Sequence, residues 1–397
     1  MAIIVCLTFM GCDSENTKTP SEAPTAEPTA EPTPEPLPKL TAEDKNDRLV
    51  LPFWRLDTMY DECGVFIKRD DGRITAKLLF TPTKLISVYD YSLKNEYTEG
   101  VDYTWDGASN ELVLTENSSI PYFTQENLKG YDDNGKAYST NISFVTGEEK
   151  FRIGGALYCV GKYLYEKQVA VTYEYEYGSY DGPVTEYQGD RLPKTIAKMK
   201  AGEKLTICWY GDSVFEGCDA SGFRDRAPNM ASFPTLVPKY LKSYYDCTFK
   251  NNNKSQGGED TAYAVKNMKT VTAGSVAPDL VIIGWGMNGN LTGEENAANV
   301  QKIIEYVRSV NPDCEFLLVS CVNPNPDSGM KIYQEQVAAE YEKLAGEGVG
   351  FVNMLSVQDY ILETKDFISI SGNNINHPND WFIRIHAMHI LSALIDW

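Results

Sequence analysis

The pattern of apolar and polar positions divides the chain into two parts. From about residue 45 to 190, short apolar runs are separated by turn-rich stretches, which predicts many short β-strands. In 169–177 Val and Tyr alternate with polar residues, which predicts a strand buried on one face only. Few helices are predicted here, so this part favours a β-sandwich or jelly roll. Other strands are predicted at Ile74–Phe80, Leu85–Tyr89 and Leu112–Thr115.

After residue 190, strand-like runs alternate with helical ones. In 294–309 the apolar residues form a single stripe, and Thr292 and Glu295 have the spacing of a capping box. Five strands joined by helices predict a doubly wound five-stranded parallel sheet of flavodoxin-like type, whose sites lie beyond the carboxyl ends of the strands. The predicted strands are Leu205–Tyr210, Cys247–Asn251, Leu280–Ile283, Glu315–Val319 and Val349–Met354, and the helices are 231–244, 294–309 and 331–345.

The first 44 residues are typical of an export signal followed by a spacer. Residues 1–12 are apolar and end in Gly11-Cys12, which resembles a bacterial lipoprotein cleavage box with Cys12 as the lipidated residue. An ordinary secretory signal with an incidental cysteine is the alternative. Residues 13–44 are rich in Pro, Thr and Glu, a composition that favours an extended spacer. We therefore predict an extracellular or cell-surface protein that contacts a membrane only through a lipid on Cys12. The change of periodicity predicts a β-sandwich domain at 45–190 and an α/β domain at 191–397.

Composition excludes several functions. The 397 residues contain 36 Lys and Arg against 56 Asp and Glu, and this formal net charge of -20 argues against binding to nucleic acid. No cysteine pair has metal-ligand spacing, so a zinc site is not expected, and the sequence leaves disulfide pairing open. All three histidines lie near the C-terminus: His377, His386 and His389. We expect packing or surface roles for His386 and His389.

Four short motifs follow predicted strands or precede the last helix. Ser213 comes directly after the first strand of the second part, in Gly-Asp-Ser, where a strand-to-helix turn can expose its hydroxyl. A glycine-rich stretch at 253–261 and the amide of Asn288 follow the next two strands, and both offer N–H donors for an oxyanion. His377 precedes a final helix, and the residues after it are typical of a helix start, which would fix this histidine at a helix N-terminus. Each motif alone is weak, and the joint pattern of the four is the stronger signal.

These four motifs, in this chain order, resemble the SGNH (GDSL) hydrolase superfamily over about residues 195–397. The similarity is to bacterial carbohydrate esterases that carry an N-terminal β-sandwich. It implies that Ser213 is the nucleophile and His377 the base. It also implies an oxyanion hole made by the N–H groups of Ser213 and Gly258 and by the Asn288 side chain, with Gly258 preferred over Gly257 by counting from Asn253.

The chain departs from the family pattern at two positions. Asn374 stands three residues before the histidine, where family members often have Asp, and Gly289 stands where they often have Asp after the third motif. A triad carboxylate fixes the imidazole tautomer, so its absence would matter for catalysis. We expect that Asn374 or a backbone carbonyl orients His377 instead, which predicts a histidine that works without a carboxylate.

The resemblance implies hydrolysis of acyl esters, above all acetyl esters, on a polysaccharide or oligosaccharide. This implied reaction requires no metal and no organic cofactor. A neutral glycan such as acetylated xylan suits the acidic chain better than pectin does. Trp285 could line the acyl or sugar site, or could belong to the core. Two alternatives stay open: a lipase or short-acyl-chain esterase, and a non-catalytic surface protein that binds glycans and keeps a degenerate hydrolase fold.

Overall fold

The structure is a computed structural model that describes residues 38–274, 277–331 and 333–397. These residues belong to one compact unit. The predicted signal segment with Cys12 and residues 13–37 of the predicted spacer lie outside the described residues. Among the residues that are described, no helix has the length and apolarity that a membrane span requires.

The first part of the chain folds into short antiparallel strands, which confirms the predicted β region. Strands β1, β9 and β4 form one sheet, β2, β3, β6 and β5 a second, and β7 and β8 a hairpin. Their bounds are β1 Thr58–Val65, β2 Ile67–Lys68, β3 Ile74–Lys77, β4 Lys84–Asp90, β5 Tyr103–Thr104, β6 Glu111–Leu114, β7 Phe151–Ile153, β8 Ala156–Tyr158 and β9 Gln168–Glu174. Short helices accompany them: α1 Lys45–Val50, α2 Gln125–Leu128 and α3 Lys162–Tyr165.

The alternation in 169–177 predicts that strand β9 is buried on one face only, but both of its faces are buried. Its first six residues are all buried, including Thr172 on the polar face. On this face the Gln168 amide donates to the carbonyl of Ser371 in the second part at 3.2 Å, and the Thr172 hydroxyl accepts the N–H of Asp61 on β1 at 3.0 Å. Polar and small side chains on one strand face therefore lie at an internal contact here and not at the surface.

The second part is a doubly wound α/β fold, as predicted. Within the described residues, a five-stranded parallel sheet has the order β11-β10-β12-β13-β14, the flavodoxin-like arrangement. The strands are β10 Lys204–Gly211, β11 Thr248–Asn253, β12 Leu280–Gly284, β13 Glu315–Val319 and β14 Val349–Val352. The helices are α4 Pro193–Lys200, α5 Ser213–Glu216, α6 Phe233–Tyr245, α7 Thr261–Asn267, α8 Gly293–Val310, α9 Gln334–Lys343, α10 Met354–Thr364 and α11 Asp380–Leu394.

The capping box predicted for α8 is confirmed. The Thr292 hydroxyl accepts the Glu295 N–H at 3.2 Å, and the Glu295 carboxylate accepts the Thr292 N–H at 2.8 Å. The apolar stripe of this helix is buried against the sheet and consists of Ala297, Val300, Ile304 and Val307. Periodicity and end signals thus located this helix to within one residue at each end.

A fully buried ion pair joins the two parts. Glu62 on β1 and Lys365, just after α10, have no solvent-exposed side-chain surface. The Glu62 carboxylate also accepts the Tyr173 hydroxyl at 2.5 Å and the Leu79 N–H at 2.8 Å, and the Lys365 ammonium donates to the carbonyl of Lys77 at 2.8 Å. Because every charged group has partners, the pair is tolerated in the core, but removing one member would leave the other uncompensated.

We predict that Glu62→Ala strongly destabilises the protein, because it leaves the buried Lys365 ammonium without its carboxylate. The free energy of unfolding in urea should fall by about 3–5 kcal/mol. Lys84→Ala is the matched control, since it breaks an exposed pair with Glu174 at 3.2 Å and should change stability little. Equal effects of the two variants would contradict this account of Glu62.

Candidate active site

Ser213 is the first residue of the short helix α5, directly beyond the end of β10. The Asp212 carboxylate caps this helix by accepting the Val214 N–H at 3.1 Å. The helix can lie against the sheet because a Cβ on Gly284, at the end of β12, would be 1.9 Å from the Phe215 ring. The absence of a side chain at this position therefore sets where the nucleophile helix begins.

Asp212 also connects the first and third motifs. Its second carboxylate oxygen accepts the Met287 N–H at 3.1 Å, so the segment that contains Asn288 is held beside Ser213. Burial raises the pKa of Asp212 to about 6, and the N–H donors oppose that shift. The residue therefore acts as a structural acceptor beneath the site.

His377 lies within hydrogen-bond distance of Ser213. Its Nε2 is 2.8 Å from the Ser213 Oγ. The side-chain oxygen of Asn373 accepts the backbone N–H groups of Ile375, Asn376 and His377, which folds this segment into a tight turn. Helix α11 begins three residues after the histidine, in agreement with the helix-start signal in the sequence. The predicted nucleophile and base are thus brought together across 164 residues.

The prediction that Asn374 or a backbone carbonyl orients His377 is wrong. The Nδ1 of His377 is 2.5 Å from the carboxylate of Asp219. Asn374 instead donates its amide to the carbonyl of Leu157 at 3.1 Å, and its side-chain oxygen accepts from Asn325 at 3.2 Å. These bonds turn the Asn374 side chain towards β8, away from the imidazole. The histidine is therefore carboxylate-supported, from a position that the family pattern does not indicate.

Several contacts hold Asp219 in place. Gly217 ends α5 in the left-handed conformation, with φ of +94°, and the chain turns so that Asp219, at φ +65°, lies behind the histidine. The Arg224 Nε donates to the other Asp219 carboxylate oxygen at 2.6 Å, and the Tyr165 hydroxyl donates to its backbone carbonyl at 3.0 Å. In the sequence Asp219 looks no different from Asp225, so local pattern alone could not identify it.

The predicted oxyanion donors lie at the same sheet edge. The Asn288 amide donates to the carbonyl of Glu259 at 3.2 Å, next to Gly258, and keeps a second N–H for another acceptor. The Gly257 N–H is used by the Glu216 carboxylate at 2.9 Å. In the part of the chain that the structure describes, the N–H groups of Ser213 and Gly258 have no protein acceptor. The role of these donors stays a prediction that the geometry permits.

The other candidate residues lie away from this constellation. Burial lowers the pKa of His386 to about 4 and that of His389 to about 3. Their Nδ1 atoms bond to the Phe382 carbonyl at 2.8 Å and to the Thr185 hydroxyl at 2.9 Å. Trp285 is completely buried, which decides for the core and against the substrate site. Within the described ranges no group of three or more His, Cys, Asp or Glu could hold a metal ion, and no cysteine is paired.

Comparison with known proteins agrees with this geometry. Residues 209–381 match the GDSL-like Lipase/Acylhydrolase family. They form a GDSL-like hydrolase domain. No curated protein sequence matches the chain.

Solved structures similar to the chain include three esterases or lipolytic proteins. A two-domain esterase active on acetylated mannans is 22% identical with a TM-score of 0.42, and the match covers 52% of this chain and 54% of that one. The chain thus spans about half the length of that esterase. A lipolytic G-D-S-L family member from Veillonella parvula is 16% identical (TM-score 0.37), and a carbohydrate esterase family 3 member from Talaromyces cellulolyticus is 13% identical (TM-score 0.35). Each match covers 47% of this chain and 96% of the other.

The second departure of this GDSL-like domain, at Gly289, has a steric explanation. A Cβ at this position would lie 2.8 Å from a carboxylate oxygen of Asp260, and the backbone φ is +89°. Asp260 caps helix α7 by accepting the N–H groups of Ala262 and Tyr263. A carboxylate from a different position therefore fills the space beside Asn288, and a side chain at 289 would collide with it.

We predict that Asp219→Asn severely impairs the GDSL-like domain, because an amide cannot stabilise the imidazolium as a carboxylate does. With p-nitrophenyl acetate, kcat should fall on the order of a thousandfold to ten-thousandfold. Asp225→Asn is the matched control, from an exposed carboxylate in the same loop. If the two variants retain similar kcat values, the assignment of Asp219 is wrong.

The buried His386 makes the stability of the protein depend on pH. Burial keeps His386 neutral in the folded protein, whereas the unfolded chain binds a proton at this residue below about pH 6.5, so acid favours unfolding. Between pH 7 and pH 5 the residue should cost about 2 kcal/mol of stability. His386→Gln should therefore lose that much less stability than the unmodified protein over the same interval, measured by urea unfolding at both values. If His386→Gln loses as much stability between pH 7 and pH 5 as the unmodified protein does, His386 is not the neutral buried histidine described here.

Proposed function

We propose that the protein is a serine esterase that removes acyl groups, above all acetyl groups, from a polysaccharide or oligosaccharide. The observation that carries the proposal is the hydrogen-bonded series from the Ser213 hydroxyl through both ring nitrogens of His377 to Asp219. It joins a nucleophile, a base and an orienting carboxylate within a family of ester hydrolases. Two segments distant in sequence converge to form it: the stretch after β10, which carries both Ser213 and Asp219, and the loop that carries His377.

Acylation would begin at the Ser213 hydroxyl. His377 Nε2 takes the hydroxyl proton as the Ser213 oxygen attacks the ester carbonyl carbon. The carbonyl π electrons move to the oxygen, and the resulting oxyanion would be bound by the N–H groups of Ser213 and Gly258 and by the Asn288 amide. Each preorganised donor of this kind contributes on the order of a hundredfold in rate.

Collapse of this intermediate breaks the bond to the sugar oxygen. His377 returns its proton to that oxygen, and the deacylated sugar hydroxyl leaves. Water then attacks the acyl-enzyme with His377 again as the base, which releases the carboxylic acid and restores Ser213. Asp219 accepts the Nδ1–H throughout, so the imidazole keeps the tautomer that presents Nε2 to the serine.

Three features support an acylated neutral glycan as the substrate. The sequence resembles bacterial carbohydrate esterases that carry an N-terminal β domain. The net charge of -20 disfavours polyuronates such as pectin. Phe223 is 48% exposed, and the centroid of its ring is 5.6 Å from the guanidinium carbon of Arg224, which contacts Asp219. An exposed aromatic ring near the catalytic residues offers an apolar face against which a sugar ring can pack.

The structure weakens the case for a non-catalytic glycan-binding protein. That alternative drew on the two departures at Asn374 and Gly289. Asp219 supplies a carboxylate to the histidine, and Asp260 occupies the space next to Gly289. Each apparent loss is thus matched by a carboxylate from another position. We retain acetyl as the proposed acyl group because the sequence resembles carbohydrate esterases that remove acetyl groups.

The proposal predicts Ser213-dependent release of acetate from acetylated xylan. Ser213→Ala should lower the rate on the order of ten-thousandfold or more, because no other group can form the acyl-enzyme. Ser309→Ala, an exposed serine on α8, is the control and should match the unmodified protein. Nitrophenyl esters of increasing chain length test the acyl group, and acetate should be the best substrate.

Two results would contradict the proposal in different ways. If Ser213→Ala hydrolyses every tested ester as fast as the unmodified protein does, Ser213 is not the nucleophile. Faster hydrolysis of long-chain esters than of acetate, without acetate release from the glycan, would favour a lipase.

A further inference from the structure

Glu216 lies on the same short helix as the nucleophile, three residues after Ser213, and its side chain reaches the neighbouring loop. Its carboxylate accepts the Gly257 N–H at 2.9 Å. Gly257 packs directly on the nucleophile, because a Cβ there would be 3.4 Å from the Ser213 Cβ and 2.9 Å from the Glu216 carboxylate. Any displacement of Gly257 would therefore be transmitted to the site.

Other bonds hold this loop on both sides of the two glycines, and after them the Asn288 amide donates to the carbonyl of Glu259 at 3.2 Å. The Asn253 amide donates to the carbonyl of Phe215 at 2.7 Å, and the Gln256 N–H donates to the carbonyl of Gly211 at 2.8 Å. After Gln256 come two consecutive glycines, which have the most conformational freedom to lose on folding. At Gly257 itself, within the described ranges, Glu216 supplies the hydrogen-bond acceptor.

The bond to Glu216 also distinguishes the two glycines chemically. Since the Gly257 N–H is taken, it is not available to an oxyanion. Gly258 follows in the left-handed conformation, with φ of +79°, and the space where its Cβ would project is open. Its N–H has no protein acceptor in the described part of the chain. The Glu216 carboxylate thus occupies the N–H of Gly257 and leaves the N–H of Gly258 for another acceptor.

We propose that Glu216 is a positioning residue for the oxyanion hole. Its carboxylate fixes the peptide at Gly257 so that the Gly258 N–H faces the carbonyl oxygen of a substrate bound at Ser213. The inference rests on the proposed esterase function. Glu216 would contact neither the substrate nor His377. It would act on the developing oxyanion only through the position of the two glycines.

Without the Glu216 carboxylate, the N–H donors should stabilise the transition state less, whereas substrate binding should be nearly unchanged. Without the acceptor, the Gly-Gly segment can rotate and its N–H groups no longer have one fixed direction. Misplacement of a catalytic group by about 1 Å can cost on the order of a hundredfold in rate. Removing the acceptor should therefore lower kcat by about 10- to 100-fold and leave KM nearly unchanged.

The test compares Glu216→Ala, which has no acceptor, with Glu216→Gln, whose side-chain oxygen can still accept the Gly257 N–H. We expect the loss in kcat for the first and substantial rescue by the second. Glu216→Met, of similar length but without an acceptor, replaces the alanine variant if that one does not fold. Glu294→Ala, an exposed glutamate on α8, is the matched control.

Inhibition by methylboronic acid separates positioning from a general structural defect. The tetrahedral boronate formed on the serine places an oxygen where the oxyanion would be, so its Ki should rise in parallel with the fall in kcat/KM. Equal kcat for the alanine variant and the unmodified protein would overturn the inference, as would equal losses in the alanine and glutamine variants. Absence of Ser213-dependent activity in the unmodified protein would refute the proposed function instead.

Discussion

The contact between Asp219 and His377 is the constraint on which the active site depends. An imidazole that takes a proton at Nε2 needs an acceptor at Nδ1 to keep one tautomer. Here that acceptor comes from 158 residues upstream, so two distant loops must meet to within hydrogen-bond distance. Arg224 and Tyr165 hold the carboxylate in position, and the Asn373 turn holds the histidine.

The β region contributes directly to this arrangement. Tyr165, which bonds to the Asp219 carbonyl, ends α3, and the Leu157 carbonyl that receives the Asn374 amide lies on β8. An asparagine can donate to a carbonyl, whereas an ionised aspartate can only accept. Asn374 therefore secures the histidine loop to the β region in a way that the aspartate common in the family could not. The same loop thus carries the catalytic histidine and, through Asn374, contacts the β region.

Much of the fold could be predicted because local periodicity reflects burial against a sheet. Helix α8 and strand β13 were located to within one residue, since their apolar patterns and end signals are strong. The second face of β9 was misjudged, because its polar and small side chains pack on a partner that local alternation cannot reveal. The boundary predicted near residue 190 stays a prediction, since buried residues on both sides of it share one core.

The sequence by itself determined the fold class, the order of the four motifs, and the candidates Ser213 and His377. Those features depend on short spacings along the chain, namely strand ends, a helix start and periodic apolar residues. Only the tertiary structure decided that Asp219 supports the histidine and that Glu216 holds the glycine pair. A carboxylate in a loop carries no local mark of its partner, because its role depends on which distant donor the packed fold brings within about 3 Å.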